Sequence, residues 1–146
     1  MGHNGDSTMM HGMKCSEHPA DRMCVAIDRV GTPLCVGIDP VLDRLPTVLQ
    51  TLPPIEAIQS FCTGIIDAIA TEAVAVKFQS ACFERFGFKG VELLGQLKVL
   101  ANDAKLQVIL DVKRGDIGIS AEHYAVAATA DGPCDWVTVN PYLGVD

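Results

Sequence analysis

No Cys-x-x-Cys pair occurs among the six cysteines, Cys15, Cys24, Cys35, Cys62, Cys82 and Cys134. That absence speaks against a zinc site. Most of the six lie in apolar segments, where a free Cys behaves as a small hydrophobe. They are read as reduced thiols of a cytoplasmic protein, not as a disulfide framework. No apolar run is long enough to span a membrane. The start, Met1-Gly2-His3-Asn4-Gly5-Asp6-Ser7, lacks the basic and then apolar order of a secretory signal. Basic residues are scarce: 11 Lys and Arg face 18 Asp and Glu, and the formal net charge of −7 argues against a nucleic-acid-binding surface. What the chain has in quantity is apolar material, 49% of 146 residues, which suits one modest domain with its own core.

Residues 1 to 19 are polar and aperiodic and are read as a disordered leader. His3, His11, Cys15 and His18 fall there at a spacing that fits no zinc pattern. From Asp21 to Val30 the residues Met23, Ala26, Ile27 and Val30 recur at helical spacing, and Gly31-Thr32-Pro33 stops the helix. A repeating unit follows. Leu34 to Ile38 is an apolar strand ending in Asp39-Pro40. Pro53-Pro54 opens a helix whose face carries Ile55, Ile58, Cys62, Ile65 and Ile69. Ala73 to Val76 is a second strand ending in Lys77, and Val91, Leu94, Leu97 and Ala101 mark the next helix. Val108-Ile109-Leu110 is a third strand ending in Asp111, followed by a helix over Ser120 to Ala130. Trp136 to Val139 is a fourth strand ending in Asn140-Pro141.

Continuous apolar strands alternating with helices predict a parallel sheet covered by helices. The strand-end residues Asp39, Lys77, Asp111 and Asn140 lie 38, 34 and 29 residues apart. A (β/α)8 barrel has a repeat of about 31 residues. The fold expected is therefore an α/β (β/α)8 TIM barrel truncated after about four βα units, with residues 20–146 forming the N-terminal half of the barrel domain. A five-stranded flavodoxin-like sheet is the alternative. The ending inside the loop after strand four, at Gly144-Val145-Asp146, favours the half-barrel.

Parallel α/β sheets bind ligands at the carboxyl ends of their strands. Asp111-Val112-Lys113-Arg114-Gly115-Asp116-Ile117 stands at such an end. Residues two apart on a strand share a face, so Asp111 and Lys113 are expected to project together. Gly115 would let the chain turn and return Asp116 to the same point. Carboxylates and ammoniums held this close perturb one another, as catalytic groups do. Arg114-Gly115-Asp116 at this place is not read as an adhesion signal.

Asp111-x-Lys113-x-x-Asp116-Ile117 resembles the signature of the orotidine 5′-phosphate decarboxylase family. Leu34 to Pro40, Val76 to Ala81 and Val139 to Gly144 resemble segments of its bacterial second subfamily, in the same order along the chain. The resemblance implies decarboxylation of orotidine 5′-monophosphate in pyrimidine synthesis, with no cofactor and no metal. It implies that Lys113 protonates C6 of the pyrimidine and that Asp111 sits against the substrate carboxylate. Lys77 completes the charged array and, with Asp39, holds the ribose hydroxyls. Asp116, Ile117 and Ser120 reach across the interface of a homodimer. Partners are then a small nucleotide substrate and a second subunit, with no nucleic-acid polymer and no membrane. A fixed ammonium beside the reacting carbon suits this chemistry, because it stabilises developing negative charge and then supplies a proton.

Two departures stand out. Phe78 occupies a position where the family pattern has Pro. In the family the phosphate is held by strands five to eight, so the chain alone is expected to be inactive. Magnesium-dependent sugar-phosphate decarboxylases and hexulose-phosphate synthases share the Asp-x-Lys-x-x-Asp motif, but place an acidic metal ligand where this chain has Lys77. A non-catalytic fragment is the remaining alternative. His123 and Tyr124 are read as surface or packing groups, Glu84 and Arg85 as an exposed pair, and Trp136 as core. Asn140 either contributes to substrate binding or caps the turn before Pro141.

Overall fold

The computed structural model describes residues 18–144. Most of the expected leader, with His3, His11 and Cys15, lies outside them. Helix α1 (Pro19–Val30) starts two residues before the apolar periodicity does. His18 explains this, because its imidazole accepts a hydrogen bond from the Ala20 amide at 3.2 Å and Pro19 occupies the first turn. Gly31, at φ 82°, ends the helix in the left-handed conformation.

Strands β1 (Cys35–Ile38), β2 (Ala75–Gln79), β3 (Gln107–Arg114) and β4 (Trp136–Val139) form one sheet in the order β1-β2-β3-β4, with every neighbouring pair parallel. Helices α2 (Pro54–Ile69), α3 (Ala81–Glu84), α4 (Phe88–Asp103) and α5 (Gly118–Ala130) lie in the crossovers. Unbroken neighbour-to-neighbour order is that of four consecutive units of a (β/α)8 barrel. It is not the flavodoxin-like order, in which the sheet reverses direction. None of the helices among the described residues is long and apolar enough to cross a membrane.

The pleat divides the strands into two faces. On the helix side, Ile38, Val76, Phe78, Val108 and Leu110 join Ile58, Cys62 and Ile66 of α2 and Leu93, Leu94 and Leu97 of α4 in the main core. Phe78 is fully buried there, edge-on to Phe83 with ring centroids 6.2 Å apart. Burying such a ring contributes about 1.5–3 kcal/mol. Phe78 thus fills the core from within a strand.

The other face is concave and carries Ala75, Lys77 and Gln79 of β2, Gln107, Ile109 and Asp111 of β3, and Trp136 and Thr138 of β4, as the register requires. Helix α1 closes its lower end, where Ala26 packs with Val74 and Ala75. Trp136 is half-buried on this face, not core as expected, and its indole N–H donates to Gln107 Oε1 at 2.7 Å. Burial of an indole needs such a partner, and Gln107 supplies it on the concave side.

Candidate functional site

Asp111 is the centre of the concave face. Its carboxylate is buried and accepts four side-chain hydrogen bonds. Oδ2 takes Lys77 Nζ at 3.0 Å and Gln79 Nε2 at 3.2 Å. Oδ1 takes Lys113 Nζ at 2.5 Å and the Thr138 hydroxyl at 2.9 Å. Lys77 Nζ also lies 3.7 Å from Asp39 Oδ1. The result is an alternating row, Asp39, Lys77, Asp111, Lys113, spread over the end of β1, β2 and β3. Its exposure is lowest at Asp111, whose side chain is 10% exposed, and rises to both ends, to 63% for Lys113 and 56% for Asp39.

Asp111 is held well below the usual carboxylate range, first by the Lys113 hydrogen bond and then by Lys77 and Thr138, against the opposing effect of burial. Burial alone would lower Lys77. Its hydrogen bond to Asp111 and the charges of Asp39 and Asp111 outweigh that and raise it. A fixed anion flanked by fixed cations can orient a charged group and stabilise charge that develops beside it.

Both strands run further than the polar residues suggested. Lys77 pairs within β2, which continues to Gln79, and Asp111 lies inside β3, which continues to Arg114. Backbone pairing does not require apolar side chains on the concave face, so polarity returned before the strand ended. Pairing of β3 with β4 then slips: Leu110 faces Val137, but the next pair is Arg114 with Val139. Lys113 sits in that bulge at φ 49°. A left-handed backbone costs a non-glycine residue about 1–2 kcal/mol. The expected neighbourhood of Asp111 and Lys113 is present, but through a bulge as much as through the pleat.

Asp116 does not return to the cluster. It is exposed, and its Oδ1 accepts from the Ile117 amide at 2.8 Å. Gly115 serves a close approach: a Cβ there would lie 2.7 Å from the Asn140 carbonyl oxygen. Ile117 and Ser120 are also exposed, away from the row. Asn140 caps the turn before Pro141, its Oδ1 accepting from the Tyr142 amide at 3.1 Å. Glu84 does not pair with Arg85. It binds Arg114 at 2.6 Å and the Ser80 hydroxyl at 2.6 Å, while Arg85 lies over the Phe86 ring. His123 is exposed, and the Tyr124 ring lies against Arg114.

Gln79 and Thr138 were not singled out from the sequence. Their signal was modest: each occupies a concave-face position near the end of its strand. Among the described residues no three His, Cys, Asp or Glu side chains gather as a metal site. Asp39 and Asp111 have the Lys77 ammonium between them, where a metal cation would be repelled. The described cysteines, including exposed Cys24 and Cys35, are free thiols.

Fold and site together define a (β/α)8-barrel protein with a charged strand-end cluster, built here from four of the barrel's units. The chain belongs to the orotidine 5′-phosphate decarboxylase / HUMPS family, whose family model matches residues 32–146. It is 43% identical over 128 residues to orotidine 5′-phosphate decarboxylase of Ralstonia nicotianae, covering 86% of this chain and 46% of the relative. It is 41% identical over 117 residues to the Leptospira interrogans protein of that name, covering 77% of this chain and 41% of the relative. The solved OMP decarboxylase of Leishmania donovani superposes with a TM-score of 0.72 at 32% identity, covering 88% of this chain and 46% of that one. The chain thus spans less than half the length of these relatives.

Proposed function

We propose that the protein represented by this chain converts orotidine 5′-monophosphate to uridine 5′-monophosphate without a metal. The observation that carries the reading is the alternating row Asp39, Lys77, Asp111, Lys113. The names of the relatives supply the substrate. In this reading the bond from C6 to the carboxylate breaks, carbon dioxide leaves, and the electron pair stays on C6. Lys113 Nζ lies at one exposed end of the row and delivers its proton to that carbon. Asp111 faces the departing carboxylate, and its own four donors keep it from moving away. Lys77 links Asp111 to Asp39, which binds ribose hydroxyls.

Asp116, Ile117 and Ser120 fit a role across a homodimer interface, because all three are exposed on the segment that follows β3. Asn140 contributes only at the edge of the site, since its side chain is engaged in the turn. Phosphate recognition rests with strands five to eight of a complete barrel. The 146-residue chain alone is then silent, because remote binding energy holds the reacting carbon in place.

The test joins this chain to the remainder of the Ralstonia nicotianae relative and follows loss of substrate by ultraviolet absorbance, with and without chelator. Turnover that persists in chelator is expected. Turnover that disappears in chelator and returns with magnesium would favour the metal-dependent members of the family. No turnover in either condition would favour a non-catalytic role.

A further inference from the structure

Thr138 makes two hydrogen bonds with one hydroxyl. It donates to Asp111 Oδ1 at 2.9 Å and accepts from the Lys113 backbone amide at 3.0 Å. Both partners lie in the part of β3 where pairing with β4 is interrupted, between Leu110 and Arg114. The Lys113 amide therefore has no strand carbonyl in that gap and finds a side chain instead. Lys113 is held there at φ 49°, a conformation a lysine does not favour by itself. The same hydroxyl orients the carboxylate to which Lys113 Nζ binds. Backbone and side chain of one lysine are thus fixed from a single atom of the neighbouring strand.

We propose that Thr138 is a positioning residue that sets the place of the Lys113 ammonium by pinning the β3 bulge and the Asp111 carboxylate together. Gln79 differs in kind. It binds Asp111 Oδ2 but makes no contact with the Lys113 backbone, so it supports the carboxylate alone. Valine matches threonine in shape and can fill the same space on β4, but it can neither donate nor accept. Serine keeps the hydroxyl and loses only a methyl group. The consequence for turnover rests on the decarboxylase reading above, whereas the positioning itself does not.

The test is amide hydrogen exchange on the chain without substrate, so its outcome is independent of whether the protein is a decarboxylase. Thr138→Val is expected to speed exchange at Lys113 by about tenfold, the size of one lost hydrogen bond. Protection at Val108 should stay as it is, because that amide donates to Asp135 Oδ2 at 2.8 Å at the other end of β3. Thr138→Ser should restore protection at Lys113, and Gln79→Leu should leave it unchanged. Unaltered exchange at Lys113 in Thr138→Val would overturn the proposal. So would equal loss at Lys113 and Val108, which would make Thr138 a residue of the fold in general. A serine variant that behaves like valine would show that the hydroxyl is not the agent.

Discussion

Lys77 and Lys98 are both drawn away from solvent on opposite sides of the same sheet, and they respond in opposite directions. Lys77 stands on the concave face between two carboxylates, and its affinity for a proton is raised. Lys98 projects from α4 on the helix side, is 3% exposed, and donates to the Ala128 carbonyl at 3.2 Å. Burial lowers it, and the more distant charges of Cys134 and Asp131 do not make up the difference. Burial always penalises an ammonium, so the sign depends on what surrounds it. Around Lys77 the fold has gathered counter-charges that no core needs. Around Lys98 it has gathered a helix end: α5 has no basic residue in its last turn, and Lys98 serves one of the orphan carbonyls there. The first arrangement is the candidate site, and the second is a joint between α4 and α5.

Turnover should separate the two sides most sharply. In the joined protein described above, Lys113→Ala should lower kcat by about 10⁴-fold, because it removes a fixed charge and the proton donor together. Lys77→Met should cost about 10²-fold, the order expected for loss of one preorganised electrostatic partner. Lys98→Met should leave kcat within about twofold, since the residue faces away from the row. Steady-state assays of the three variants at saturating substrate check this. Equal losses in Lys77→Met and Lys98→Met would dissolve the distinction between site and joint, and near-normal turnover in Lys113→Ala would remove the assigned proton donor.

Stability against pH sharpens the same comparison without any substrate. A lysine raised in the folded state stabilises fully below its ordinary value of 10.5 and loses that contribution as pH rises through its folded value, which lies higher. Lys77 is of this kind. A lysine lowered in the folded state does the reverse. The unfolded chain binds more protons than the folded one between the folded value and 10.5, so stability rises with pH across that window. Urea unfolding of wild type and Lys98→Met should therefore show wild type gaining on the variant as pH climbs towards 10.5. The difference between wild type and Lys77→Met should stay flat over the same range. On the acid side, Asp111 is depressed below 3.8, so its contribution is present above that value and fades as pH falls through the lower, folded one. Asp111→Asn should flatten that acid limb. Parallel alkaline curves for the two lysine variants would contradict the opposite shifts.

Much of this was legible because apolar runs, helical periodicity and order along the chain depend on local sequence. Four strands, their parallel pairing and the charged residues Asp39, Lys77, Asp111 and Lys113 follow from that alone. Where the strands stop did not, because Lys77 and Asp111 continue a backbone ladder that ignores their polarity. The bulge at Lys113 was hidden for the same reason, as its cause lies in β4. Thr138 sits in an apolar-looking run, and only the register places its hydroxyl opposite Asp111. Glu84 found its partner thirty residues away in Arg114, not next door in Arg85, because a neighbour in sequence on a short helix points elsewhere. Asp116 stayed outside the row: its Oδ1 accepts from the Ile117 amide, and the preceding Gly115 lies close against Asn140.

The smallest effect expected is in thiol chemistry, and it probes the two faces from a third direction. Cys35 is exposed at the start of β1, with burial raising its thiol and the nearby Lys77 charge lowering it in part. Cys62 is fully buried on the helix side between α2 and the sheet, and burial, with a smaller contribution from Cys82, pushes it up to about 12. The thiolate is the reacting form, so access and ionisation both favour Cys35. A maleimide at neutral pH, followed by peptide mapping, should modify Cys35 and exposed Cys24 early and leave Cys62 unmodified until the chain is unfolded in urea. Cys62 reacting at the rate of Cys35 in the native chain would mean that the helix-side core opens as readily as the concave face. In that case burial could no longer account for the lowering of Lys98.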